Sequence, residues 1–157
     1  GYALESALGT IRLLRSLLVG HDRPVIEIEA LLLQLANSLP AFEASGEEGD
    51  GYALVYTLLL AEANPQSVRH ALMVMERLLR SAVAPGAVDQ LEARIAAKLT
   101  ELGTLDLRSI AQQPAAEAAL DRMLLGLDQW LRETAEQITA RYTPRRAAPQ
   151  SQLVQTA

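Results

Sequence analysis

Val68, Ala71, Leu72, Met75, Leu78, Leu79 and Ala82 recur at spacings of three and four, a period that only an α-helix turns into one continuous face. Arg69, Glu76, Arg77 and Arg80 fall on the opposite side. Asn64 is placed to cap the free amides, and Pro65 to take the first helical position, where its missing N–H costs nothing. Pro85-Gly86 then closes this helix and opens another, in which Val88, Leu91, Ile95, Leu99 and Leu102 repeat the period and Gly103 offers a stop. A long last helix runs from Pro114 to Tyr142, with Leu120, Leu124, Leu127, Leu131, Ala135, Ile138 and Tyr142 on its stripe and Trp130 beside it. Asp128–Arg132 and Arg132–Glu136 are favourable pairs four apart on its wet side. Alanine and leucine dominate and β-branched alternation is almost absent, so the chain is expected to be all-α, an antiparallel bundle of about six helices. The helical domain is expected over 1–143, and 144–157, with Pro144 and Pro149, reads as a disordered tail.

The N-terminal third is patterned differently. Leu4, Leu8, Ile11, Leu14 and Leu18 form one stripe of a first helix, with Leu13 and Leu17 beside it. Pro24 opens a second, with Val25, Ile28, Leu32, Leu35 and Leu39 on its stripe and Leu31 and Leu33 off it. A third, short and very apolar helix is expected from Asp50 to Ala63, after an acidic, glycine-rich linker from Ser45 to Gly51. A helix apolar over a wide arc needs cover on more than one side. These helices therefore lie centrally in the bundle or pack on something else, and the leucine surplus of helices 1 and 2 is read as a docking surface. The chain begins at Gly1, inside a helical pattern, which predicts a piece of a longer polypeptide.

Composition removes several function classes. With no cysteine, a disulfide scaffold, a Cys-ligated zinc site and a thiol nucleophile are excluded. A net charge of −5 with 4% aromatic residues argues against a nucleic-acid partner. Tyr52 to Ala61, the longest nearly apolar run, falls well short of the roughly 20 residues that span a bilayer, so no membrane partner is expected and the cytoplasm is the expected location.

The chemistry-bearing residues are few. His21 and His70 lack the Glu three residues upstream that a di-iron bundle requires (Leu18 and Ser67 stand there), so no metal site is expected. Ser67 and His70 lack an orienting acid and an oxyanion arrangement, and Ser67 reads as satisfying a free amide. No phosphate-cradling loop or dinucleotide fingerprint occurs, so no cofactor and no catalytic residue are expected. Arg141, with Arg145 and Arg146, complements a helix C-terminus or meets an anionic partner. Glu5 sits near a helix start, where negative charge is favoured, or is a paired buried acid. Glu5, Asn64, Ser67 and Arg141 are the candidate binding residues.

Gly1-Tyr2-Ala3-Leu4-Glu5-Ser6-Ala7, Leu35-Ala36-Asn37-Ser38-Leu39, Asn64-Pro65-Gln66-Ser67-Val68 and Arg141-Tyr142-Thr143-Pro144 follow one another in an order that resembles the C-terminal half of the bacterial alpha-E domain. That family shows Glu-Arg where this chain has Glu5-Ser6, a Tyr-Arg-x-Arg-Tyr segment where it has Phe42 to Gly46, and Asn-Pro-Arg-Ser where it has Gln66. The resemblance implies association with circularly permuted ATP-grasp proteins in a peptide-ligation or protein-modification system. The expected role is therefore a non-catalytic helical interaction domain whose partner is an ATP-grasp-type protein, or the rest of its own chain, met through helices 1 and 2. Two alternatives stay open: a helical subunit lending acids such as Glu5 to a ligase or amidotransferase site, and a stand-alone bundle that forms a homodimer.

Overall fold

A computed structural model describes residues 2–18, 37–45, 51–82 and 89–142. Within them the chain forms α1 (Tyr2–Leu18), α2 (Leu39–Ser45), α3 (Gly51–Leu59), α4 (Val68–Ala82), α5 (Gln90–Gly103), α6 (Leu107–Ala111) and α7 (Ala116–Tyr142). No strand occurs among the described residues, and the class is all-α.

Cross-helix pairs set the register. Arg80 meets Glu92 at one end of the α4–α5 hairpin, and the Arg69 guanidinium lies over Gly103 at the other, so the two helices are antiparallel. Asp89–Arg141 and Arg94–Glu133 run α5 antiparallel to α7 in the same way. α1 packs against α3, α4 and α7, which makes it the central helix. Its Ala7 and Ile11 are fully buried, with Leu14 nearly so, and Leu8 and Leu13 pack half-buried on the core. The wide apolar arc of α1 is thus covered mainly by helices of its own chain. Over residues 2–16, whose side chains are described, the exposed ones are Tyr2, Glu5, Arg12 and Ser16. The second leucine-rich segment, 24–36, lies outside the described residues, as do His21, the linker at 46–50 and the tail at 144–157.

Around α1 the core is closed by Leu58 and Leu59 of α3, Leu72 of α4, Ile95 of α5 and Leu124 and Leu131 of α7, all essentially inaccessible to solvent. Full burial of such a side chain stabilises by about 1.5–3 kcal/mol. Every described side chain of α3 except Tyr52 and Tyr56 is buried, as its unbroken apolar run requires.

Four boundaries differ from the sequence expectation. The second segment does not run helical through Leu39: Asn37 adopts φ 50°, a left-handed conformation that asparagine tolerates, and Ser38 follows as a buried turn residue before α2. α4 begins at Val68, because Asn64 is occupied elsewhere and Ser67 takes over as its cap. The last helix is preceded by the separate α6, whose first turn is capped by Asp106 accepting from the Ser109 amide at 2.9 Å. Gly103 ends α5, but Thr104 behind it is right-handed, so no left-handed glycine stop is used there. The glycine serves close approach instead: a Cβ at 103 would lie 3.2 Å from Arg69 Nη2.

Candidate functional site

The turn between α3 and α4 is the densest polar cluster described. Leu60 N and Ala61 N both donate to Tyr56 O, which leaves the neighbouring carbonyl, Thr57 O, without a helical donor. Asn64 Nδ2 supplies one at 2.8 Å and also donates to Ser38 Oγ at 3.0 Å, while Asn64 Oδ1 accepts from Gln66 N at 3.1 Å. Ser67 Oγ donates to Ala61 O at 2.7 Å and accepts from His70 N at 3.0 Å, closing one helix and capping the next. His70 Nδ1 lies 2.8 Å from Glu62 O, and since a carbonyl only accepts, that nitrogen carries the proton. Ser67 and His70 therefore meet through backbone and hydroxyl, not through the imidazole, and form no nucleophile–base pair.

This turn is tied to α1. Thr10 Oγ1 donates to Gln66 O at 3.0 Å and Ser6 Oγ donates to Gln66 Oε1 at 3.2 Å. Ser6 and Gln66, two of the positions where the resemblance implies arginine, thus bond each other across sixty residues of sequence. Glu5, next to Ser6, is exposed on α1 and does not join the cluster. Of the four candidate residues, Asn64 and Ser67 come together; Glu5 and Arg141 lie apart from them.

Arg141, at the end of α7, reaches the N-terminus of α5, where Nη1 donates to Asp89 Oδ1 at 2.6 Å. The same oxygen accepts from the Leu91 amide at 2.9 Å, making Asp89 the cap of α5. The Leu91 amide first, and then Arg141, hold the Asp89 carboxyl below the usual range, against the opposing effect of its burial. The sequence signal for Asp89 is an acid three residues after Gly86 and two before Leu91 of the apolar period. Below this contact Arg94 pairs with Glu133 at 2.9 Å, and the Arg94 and Lys98 cations both lie 5.4 Å from the centre of the Trp130 ring.

The described surface carries recesses of differing polarity. A polar one of about 430 Å³ lies at Gln90, Arg94, Gln137 and Arg141. An apolar one of about 250 Å³ lies between α3, α6 and α7 at Tyr52, Val55, Leu107, Ile110 and Leu120. A third, of about 330 Å³, runs between α5 and α7 past Lys98, Leu105, Arg122, Met123 and Trp130. No group of three or more His, Asp or Glu placed to hold a metal ion occurs among the described residues, and no described helix is long and apolar enough to cross a membrane.

Against known families, residues 1–143 match Alpha-E, described as a predicted alpha-helical domain with a conserved ER motif. The chain belongs to the Alpha-E family. No curated protein and no solved structure matches it. In this Alpha-E chain the only Glu-Arg dipeptide is Glu76-Arg77, on α4, where Glu76 Oε1 accepts from Arg80 Nη2 at 2.8 Å and Arg77 is exposed. At the position that the resemblance assigns to Glu-Arg, Ser6 supplies a hydroxyl in place of a guanidinium, and Gln66 answers it with an amide oxygen.

Proposed function

We propose that this Alpha-E chain is a non-catalytic helical interaction domain serving an ATP-grasp-associated peptide-ligation or protein-modification system in the cytoplasm. One observation carries the reading: the polar side chains available for chemistry are spent on holding helices together. Asn64 uses both amide hydrogens and its oxygen, Ser67 uses its hydroxyl as donor and acceptor, and Arg141 is committed to a buried carboxylate. Asn64 and Ser67 thus have no N–H or O–H left to offer a substrate, and Arg141 is anchored by one of its N–H groups to Asp89. The ATP-grasp context rests on the resemblance set out above. A partner meeting α1 would find Tyr2, Glu5, Arg12 and Ser16, because the inner side of that helix is already packed.

Calorimetric titration of the chain with a circularly permuted ATP-grasp protein from the same organism tests the proposal. Saturable heat is expected, together with unchanged ligase activity of the assembled system when Glu5→Ala replaces the parent chain. Absence of binding up to about 100 μM, weaker than any useful partner affinity, would overturn it.

A further inference from the structure

The groove between α5 and α7 sets half-buried apolar side chains beside charged ones. Trp130, Met123 and Leu105 supply its apolar surface, and two cations, Lys98 and Arg122, and one carboxylate, Glu101, stand at its edge. Gly126 lies four residues from both Arg122 and Trp130, so the three share one side of α7. A Cβ at Gly126 would meet nothing within 4 Å, which leaves a notch between the guanidinium and the indole. Glycine is unfavourable inside a helix, and here neither a left-handed backbone nor a close neighbour calls for it. Gly9 of α1 is equally open, so an open glycine alone indicates nothing; at 126 it coincides with an aromatic wall and cations.

The charges select the occupant. Lys98 is paired with Glu101, but Arg122 donates only to the Ala118 carbonyl of its own helix and forms no ion pair among the described residues. The groove therefore keeps an uncompensated positive charge on a chain whose net charge is −5. An apolar side chain next to a carboxylate complements it: the apolar group enters the notch beside Trp130, and the carboxylate faces Arg122. We infer that the α5–α7 groove grips an acidic, amphipathic peptide segment of the partner protein. This rests on the interaction reading above and names its surface and chemistry.

Trp130 is the only tryptophan, so its emission reports on the groove directly. The probe is a blocked peptide of sequence Asp-Glu-Leu-Phe-Glu-Asp, with Lys-Lys-Leu-Phe-Lys-Lys as control. The acidic peptide is expected to change the emission saturably, more weakly as salt is raised, and with affinity reduced about tenfold or more in Gly126→Leu and Arg122→Glu. Leucine at 126 enters open space, so far-UV circular dichroism should show an intact fold. No saturable response, an equal response to the lysine peptide, or full affinity in both variants overturns the inference. If the ATP-grasp protein binds parent and Gly126→Leu chains equally, the groove assignment falls and the interaction role stands. If the acidic peptide binds as expected and the ATP-grasp protein does not, the assignment stands and that role falls. A parent dimer that Gly126→Leu converts to monomer would give the groove to a second copy and overturn the inference.

Discussion

Asn64 shows how much of this structure hangs on single polar side chains. Replacing it with alanine strands Thr57 O in the interior without its donor and takes from Gln66 N its acceptor, and each group left unsatisfied costs about 1–3 kcal/mol. Asn64→Ala should therefore lower stability by roughly 2–4 kcal/mol in urea unfolding, whereas Ser67→Ala, chiefly a lost cap, should cost about 1–2 kcal/mol. The Asn64-Pro65-Gln66-Ser67 sequence was legible as a helix boundary but not as to which residue does the capping. Two good caps stand three apart, and the choice is made by Ser38, twenty-six residues away, which sequence spacing does not reveal. Asp89 gives a pH prediction. Its carboxyl is depressed in the folded state, so its stabilisation is complete above the ordinary value of 3.8 and is lost as pH falls from there through the folded value. Thermal melts should show Asp89→Ala losing less stability than the parent chain on acidification below about pH 4, while remaining less stable than the parent at neutral pH.

Among elements, α7 was the most legible and its neighbours the least. Leu124, Leu127 and Leu131 are buried as their spacing predicts, and Asp128 pairs with Arg132 at 2.7 Å. Thr134 is also fully buried, its hydroxyl donating back to Trp130 O at 2.8 Å, a means of hiding a polar residue that hydropathy patterning overlooks. α6 was missed because five residues are too few to display a period; only Asp106, set before Leu107, signalled its start. The break at Asn37 was missed because the leucines on either side stay in phase across it. Gly126 supplies the prediction at this scale. With open space at its Cβ, Gly126→Ala should raise stability by about 1 kcal/mol through helix propensity alone, read as a higher denaturation midpoint.

For the whole molecule, the leucine excess near the start left two readings open, central placement or a docking surface. A wide apolar arc states that a helix needs several neighbours but not whose they are, and for α1 most of them are α3, α4 and α7 of the same chain. Central placement makes α1 the element through which distant parts stabilise one another. Ile11→Ala, at a fully buried position, should cost about 2–5 kcal/mol and shift helical dichroism and Trp130 emission together as one transition. Two separated transitions would show that α7 holds independently of α1.

The contact between Gly103 and Arg69 carries an implication for sequence drift. With the guanidinium 3.2 Å from where a methyl group would stand, and with Nη2 engaged by Glu62 at 2.7 Å, alanine at 103 crowds the arginine that closes this end of the α4–α5 hairpin. Descendants of this chain should thus change the two positions in tandem, a bulkier residue at 103 arriving with a shorter one at 69.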